Sequence, residues 1–399
     1  MANCRKTTYH DMKPLFAIVG ASYLQLPLVL KAREMGLRTI CFAWPEGAVC
    51  KDHCDEFVPV SITEKERIAE ICAERGVQGV ATIASDVAVP TVAHVAARLG
   101  LPGNSERSAY LSTNKNAMRA AFRAAGVRSP VSHKVRTEPE AIEAAAATGW
   151  PLIVKPADRS GSMGVEKVES EPALRAAVRR ALEASLSGEA VVEQFIEDAR
   201  EISVEGISHD GTYHVLTVTD KVTTGTPHFV ELAHLQPSDL PRDVLDAAIE
   251  QARLGAAALE IREGATHAEL MITPSGGLYV TEIGARMGGD FIGSDLVLLS
   301  TGYDFVRGVV EVAFGSLPTP RPVALAHSGV WFYAPDTPSV GDAIRAVPRH
   351  PAIVRAEITD SVLRPLTRSA DRSGYLIYQS ACRMSPENFE NQTQGMMQP

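Results

Sequence analysis

The sequence predicts an α/β plus α+β protein: an N-terminal parallel α/β domain, a two-lobed antiparallel core and a small C-terminal β-rich domain. Three observations predict it. Over residues 14–110, short β-rich runs alternate with amphipathic helical stretches, the pattern of βαβ units. Beyond 110 the pattern changes to strand–turn–strand pairs separated by longer helices. The 399 residues also exceed what one ordinary core organises.

Residues 1–13 read as a loose tail. LFAIVG (15–20) is the first strand, followed by a helix to about Met35, then the strands LRTICFA (37–43) and EFVPVSI (56–62). A helix over 64–75, the strand GVATIAS (79–85) and a helix over 87–99 complete the parallel unit. TNKNAMRAAFRAAGV (113–127) is a helix closed by Gly126, and WPLIVKPADRSGSMGVEKV (150–168) is strand, glycine-rich turn, strand. After a helix over 171–186 come strands at 190–196, 201–208 and 212–219. A helix over 240–259 leads to strands 264–273 and 278–283, joined by the tight Pro-Ser-Gly-Gly turn 274–277. Residues 319–383 form the β-rich domain, and 384–399, rich in Asn, Gln, Met and Pro, a flexible tail.

Composition narrows the function. Hydrophobic residues at 45% and charged residues at 22% describe a globular chain. A formal charge of −9, without a run of Lys and Arg, sets nucleic-acid partners aside. Six irregularly spaced cysteines read as reduced thiols in a cytoplasmic protein. Cys50, His53 and Cys54 make half of a closed zinc site, with no second Cys/His pair at suitable spacing. Pro14–Leu30 is uncharged but carries Gly20, Gln25 and Pro27 and runs into Lys31 and Arg33, so it reads as strand, turn and helix. No other stretch is long enough to cross a bilayer. The turn after the first strand, GASYLQ, lacks the dinucleotide fingerprint, and CFAWP (41–45) lacks its ribose-binding acid.

Three features carry chemistry. Lys155 ends an apolar strand and precedes Gly161 and Gly164, glycines spaced so that backbone N–H groups can turn toward an anion. A hairpin turn after a solvated strand end fits the same residues. Glu269 and Glu282 fall near each other across the 274–277 hairpin, where two carboxylates repel unless a cation such as Mg²⁺ sits between them. Two solvated strand acids are the plainer alternative, against which the apolar neighbours Leu270, Val280 and Ile283 weigh. Arg286 sits between glycines in GARMGGD, where its guanidinium can fork onto a carboxylate.

In this order, Lys115, VKP (154–156) with its glycine loop, VEQFI (192–196), Glu269 and the ExxxR of Glu282 and Arg286 resemble the ATP-grasp superfamily, over roughly residues 14–315. The segment 220–238, with Glu269, Glu282 and Arg286, resembles its L-amino-acid ligase branch, which makes dipeptides. The resemblance implies a pre-ATP-grasp domain over 14–110 and an ATP-grasp domain over 111–318, with a small lobe at about 130–195 and a large lobe at about 196–318. It implies that Lys115 and Lys155 hold ATP phosphates under a loop of Arg159, Ser160, Gly161, Ser162, Met163 and Gly164. Glu193 would face the adenine amino group beside the backbone of Phe195 and Ile196, Met271 would pack on the base, and Glu201 would bind the ribose. Glu269 and Glu282 would hold Mg²⁺, or Mn²⁺ in its place. Arg286 would grip the carboxylate being activated, Glu231 and His234 would line the amino-acid pocket, and Lys221 would reach the site. Where many of the family carry an Asn two residues after the second metal Glu, this chain has Gly284.

The expectation is therefore an ATP-dependent carboxylate–amine ligase acting through an acyl phosphate on small molecules, with neither nucleic acid nor membrane as partner. An exposed edge of the parallel sheet is consistent with a homodimer. The alternatives are a purine-pathway-like ligase using formate or bicarbonate, and a nucleotide-binding protein without turnover.

Overall fold

The computed structural model describes residues 13–159, 161 and 163–389. The expected N-terminal tail apart from Lys13, the last ten residues, Ser160 and Ser162 lie outside the described residues. Among the described residues no helix is long and apolar enough to cross a membrane.

Strands β1 (Leu15–Val19), β2 (Arg38–Ala43), β3 (Glu56–Pro59) and β4 (Gly79–Ala81) form a parallel sheet in the order β3-β2-β1-β4. Helices α1 (Leu26–Glu34), α2 (Lys65–Arg75) and α3 (Val89–Leu99) cover it. β1 is buried throughout because both its faces are packed, which explains its unbroken apolar run. Phe16 and Ile18 join α1 and the helix Phe305–Ala313, while Leu15, Ala17 and Val19 join α2 and α3. The expected strand 79–85 stops early at Ala81, and the chain after it carries Asp86 along the carboxyl edge of the sheet. That edge is where open parallel sheets place their ligands.

Helix α4 (Glu106–Thr113), which the sequence reading passed over, and α5 (Lys115–Ala125) lead into the core. Asn114 caps α5 by accepting the Ala117 N–H at 3.0 Å, and Gly126 closes it in the left-handed conformation. The cap puts Lys115 in the first turn, where its own N–H donates to the Ala157 carbonyl at 2.7 Å.

The small lobe comprises β5 (Ser132–Val135), α6 (Glu138–Thr148), β6 (Leu152–Pro156), β7 (Glu166–Val168), α7 (Glu171–Ala184) and β8 (Ala190–Gln194). Its antiparallel sheet runs β5-β8-β6-β7. Leu152, Val154, Ala190 and Val192 face the helices, so the alternate residues Ile153, Lys155 and Glu193 face the rest of the molecule.

The large lobe holds β9 (Arg200–His209), β10 (Thr212–Thr223), β11 (Glu231–Gln236), α8 (Arg242–Ala258), β12 (Gly264–Ile272) and β13 (Leu278–Gly284). Ala268, Leu270, Val280 and Ile283 pack under α8, which sends the intervening side chains outward. β14 (His327–Tyr333), β15 (Ile353–Ile358) and β16 (Gly374–Ser380) make the C-terminal part β-rich, as expected. They share one eight-stranded sheet with the large lobe, in the order β13-β12-β9-β10-β11-β14-β16-β15. One correction concerns the expected C-terminal tail. Residues 386–389 form a short 3-10 helix, and Met384 and Phe389 are buried against Tyr378 and Trp331.

Candidate active site

The two lobes enclose a cleft of about 1140 Å³. From the small lobe it receives Ile153, Lys155, Gly161, Glu193, Phe195 and Ile196, and from the large lobe Glu201, Glu231, Glu269, Met271, Glu282 and Arg286. Lys115 enters from α5.

On the small-lobe wall, Ile153 pairs with Glu193 across the β6–β8 ladder, which brings Lys155 diagonally onto the Glu193 carboxylate at 2.5 Å. Arg119 of α5 binds the other carboxylate oxygen at 2.9 Å. Burial pushes the Glu193 carboxyl up, but Arg119 and Lys155 outweigh it and hold it below its usual value. Burial also lowers the Lys155 ammonium, against the pull of Glu193. The Glu193 side chain, expected to face an adenine amino group, is thus occupied by two cations.

On the large-lobe wall, Glu269 stands directly opposite Glu282 in the β12–β13 ladder, next to a bulge. Lys221 bridges Glu201 at 2.8 Å and Glu269 at 2.5 Å. His267 lies 3.3 Å from Glu269 and, through its other nitrogen, 2.9 Å from the buried Glu205. Burial raises the Glu269 carboxyl, yet Lys221 and His267 hold it well below the ordinary range. Burial disfavours the charged His267, but Glu205 and Glu269 push it up to about 9. Glu282 reaches Lys115 at 3.1 Å. The acid pair is therefore balanced by Lys115, Lys221 and His267, and its carboxylate oxygens are hard donors of the kind a divalent cation takes.

Arg286 forks onto Asp86 from the N-terminal domain, at 2.8 and 2.7 Å. Burial works against its charge, but Asp86 holds the guanidinium protonated above its usual value. The pair also explains Gly284: a Cβ there would lie 3.0 Å from an Asp86 oxygen and 3.2 Å from Arg286 Nε. The carboxylate of Asp86 fills the space that a side chain at 284 would need. Further on, a Cβ on Gly288 would lie 2.8 Å from His267 Nδ1, so the loop runs hard against the acid cluster.

Most candidate residues converge, and a few do not. Met163 is exposed and Gly164 lies against Pro156, both away from the cleft lining. His234 is buried behind the cleft, edge-on to Phe332 and 3.7 Å from Asp290, and its Nδ1 takes no hydrogen-bond partner among the described residues. Glu231 does line the cleft and accepts the Ser369 hydroxyl at 2.9 Å. Sequence reasoning missed Arg119, Asp86, His267 and Glu205. Two of them carried a signal: His267 precedes Glu269 by one strand period, and Arg119 follows Lys115 by about one helical turn.

Two models describe this architecture: an ATP-grasp domain matches residues 148–295, and an ATP-grasp N-terminal domain matches residues 29–103. The chain belongs to the ATP-grasp superfamily and resembles its L-amino-acid ligase branch. It is 24% identical over 191 residues to the carbamoyl phosphate synthase large chain, C-terminal section, of Aquifex aeolicus, covering 48% of this chain and 35% of that protein. It is 29% identical over 192 residues to alanine–anticapsin ligase of Bacillus subtilis, covering 42% of this chain and 40% of that protein. The match thus spans well under half the length of these curated relatives. L-amino acid ligase from Bacillus licheniformis superposes with a TM-score of 0.77 at 23% identity, covering 95% of this chain and 96% of that structure.

Proposed function

We propose that this chain is a Mg·ATP-dependent carboxylate–amine ligase that joins an amino acid, or a similar carboxylate, to an amine and releases ADP and phosphate. One observation carries the reading. Two lysines, two facing carboxylates and a guanidinium, far apart in the chain, share a single cleft.

A carboxylate resists attack by an amine because its charge repels nucleophiles and oxide leaves poorly. In the proposed reaction a carboxylate oxygen bonds to the γ-phosphorus of ATP as the bond to ADP breaks. The amine nitrogen then attacks the carbonyl carbon, the C–O bond to phosphate breaks, and the nitrogen loses a proton. Lys115 and Lys155 neutralise phosphate oxygens, and Arg286, aligned by Asp86, takes the carboxylate. Glu269 and Glu282 would hold the Mg²⁺, which supplies charge neutralisation on the phosphates. Phe195, Ile196 and Met271 surround the base, and Glu201 meets the ribose. Glu231 receives the incoming amine, with His234 as a positioning residue behind it. Arg159 and Gly161, which line the cleft, help to exclude water from the reacting phosphate. A homodimer through an edge of the parallel sheet and a cytoplasmic location belong to the same proposal.

A pairwise amino-acid screen reading phosphate release tests the reading. Amino-acid-dependent phosphate supports it, and ATP binding without turnover across the panel contradicts it. Likeness to a carbamoyl phosphate synthase supports a second reading, ligation of a one-carbon acid. Release that needs bicarbonate or formate, and no amino acid, selects that reading.

A further inference from the structure

A second cavity, of about 1590 Å³, lies on the other side of the loop that follows Arg286. Arg286 lines the first cleft, while Met287, Gly288, Gly289, Asp290 and Phe291 line the second. Glu231 faces the first cleft, and its hydrogen-bond partner Ser369 faces the second. The two cavities therefore share a wall at the residues to which the ligase reading gives the carboxylate and the amine.

The walls of the second cavity differ sharply in chemistry. The N-terminal domain supplies an apolar face that includes Leu24, Leu26, Pro27 and Ile83. The C-terminal strands supply a polar face on which two guanidinium groups lie over aromatic rings. Arg372 stacks 3.6 Å from the Phe332 centroid and is neutralised by Asp290 at 2.8 and 2.9 Å. Arg355 is different. It lies 4.9 Å from the Phe291 centroid and 5.6 Å from that of Tyr375, pairs through one terminal nitrogen with Asp295 at 2.9 Å, and keeps 45% of its side chain open. A guanidinium held on an aromatic shelf, with one edge taken and much of its surface open, is prepared for an anion.

We propose that this cavity holds the body of one ligase substrate, and that this substrate is bulky and apolar or aromatic, with an anionic group at its far end that Arg355 binds. The proposal rests on the ligase reading for what happens at the near end, but not for the binding itself. Gly288 and Gly289 add no side chain at their two positions in the wall between the cavities, which suits a substrate whose reactive end lies at Arg286 and Glu231. The anion is a carboxylate or a phosphate ester, since the guanidinium fork matches both.

The test uses the whole chain and four probes of similar shape: phenylalanine, 4-carboxyphenylalanine, phosphotyrosine and 4-aminomethylphenylalanine. Binding is measured by calorimetry in the presence of Mg²⁺ and a non-hydrolysable ATP analogue. One or both anionic probes should bind about tenfold or more tighter than the cationic one, as a charge-assisted contact implies, and which of them does so identifies the source of the anion. Arg355→Met should bring that ratio to about one, and Arg355→Glu should invert it. Inversion is a gain that misfolding cannot mimic. Equal binding of anionic and cationic probes, or a ratio unmoved in both variants, overturns the proposal. ADP release with the same probes separates the two claims. Binding discrimination without ADP would leave this site standing and remove the ligase reading; ADP without discrimination would do the reverse.

Discussion

The two cavities that meet at residues 286–291 are built in opposite ways. The first is lined by side chains on adjacent strands, fixed by ladder register and locked in ion pairs: Lys155 with Glu193, Lys221 with Glu201 and Glu269, Lys115 with Glu282. The second is assembled from α1 and the segments before it and after β4 in the N-terminal domain, the 287–291 loop and the C-terminal part, with an apolar face opposite a polar one. Register-fixed charges suit a reaction whose charge distribution does not vary, whereas walls that include loops, such as 287–291, can change with the substrate. Under the proposed function, the first cavity would carry the chemistry and the second the selectivity.

The largest effect should come from breaking the first cavity. Arg286→Ala and Glu282→Ala should each lose about 10²–10³ in ligation rate, roughly 3–4 kcal/mol of transition-state stabilisation. Glu282→Ala should melt close to the native chain, whereas Arg286→Ala, which leaves the mostly buried Asp86 carboxylate unpaired, should also lose about 3 kcal/mol of stability. Thermal melting beside phosphate release checks both, and near wild-type turnover in either variant would remove the site assignment. Asp86→Ala should come next. It leaves a mostly buried guanidinium without its partner, so a stability loss of about 3 kcal/mol is expected, visible in denaturant unfolding. Asp86→Asn should keep more of that stability yet raise KM for the carboxylate more than it lowers kcat, the mark of a positioning residue.

A smaller effect has a direction in pH. Because its cation partners depress the Glu193 carboxyl, the stability it contributes is present above the usual carboxylate range and is lost as pH falls through and below that range. The stability gap between the native chain and Glu193→Gln should hold steady at neutral pH and shrink under acid; a gap that widens in acid would contradict the pairing. The smallest contrast sits in the shared wall itself. Gly288→Ala pushes a methyl group against His267 and should cost about 1–3 kcal/mol. Gly289→Ala meets only Ala84, at 3.6 Å, and should change rate by about threefold or less. Equal effects would mean that the loop does not divide the two cavities as described.

What the sequence revealed follows the same division. The parallel sheet, the glycine-closed helices and the 274–277 hairpin were readable because each rests on local pattern. Glu269 and Glu282 could be paired by counting outward from the turn, and the ladder pairs those two residues directly. For Arg119 the helical spacing from Lys115 marks a shared face but not its partner, and Asp86 could not be found that way. Each acts across the fold, on Glu193 and on Arg286, and nothing near Asp86 in the chain marks its distant partner. Gly284 looked like a lost polar ligand until the fold placed Asp86 beside it. β11 was missed for a related reason. ELAHLQ carries polar residues on a strand buried almost throughout, and only its neighbours β10 and β14 make that tolerable. The second cavity left no trace at all, because its walls come together from segments far apart in the chain, from Tyr23 to Tyr375.

The central claim, that this cleft activates a carboxylate by phosphorylation, is tested most directly by isotope transfer. The chain is incubated with Mg·ATP and amino acids carrying oxygen-18 in their carboxyl groups, and the released phosphate is examined by mass spectrometry. One labelled oxygen per phosphate, in step with amide formation, is the expected result. Amide formed while the phosphate stays unlabelled would contradict the acyl-phosphate route and the roles given to Arg286 and Lys155 with it.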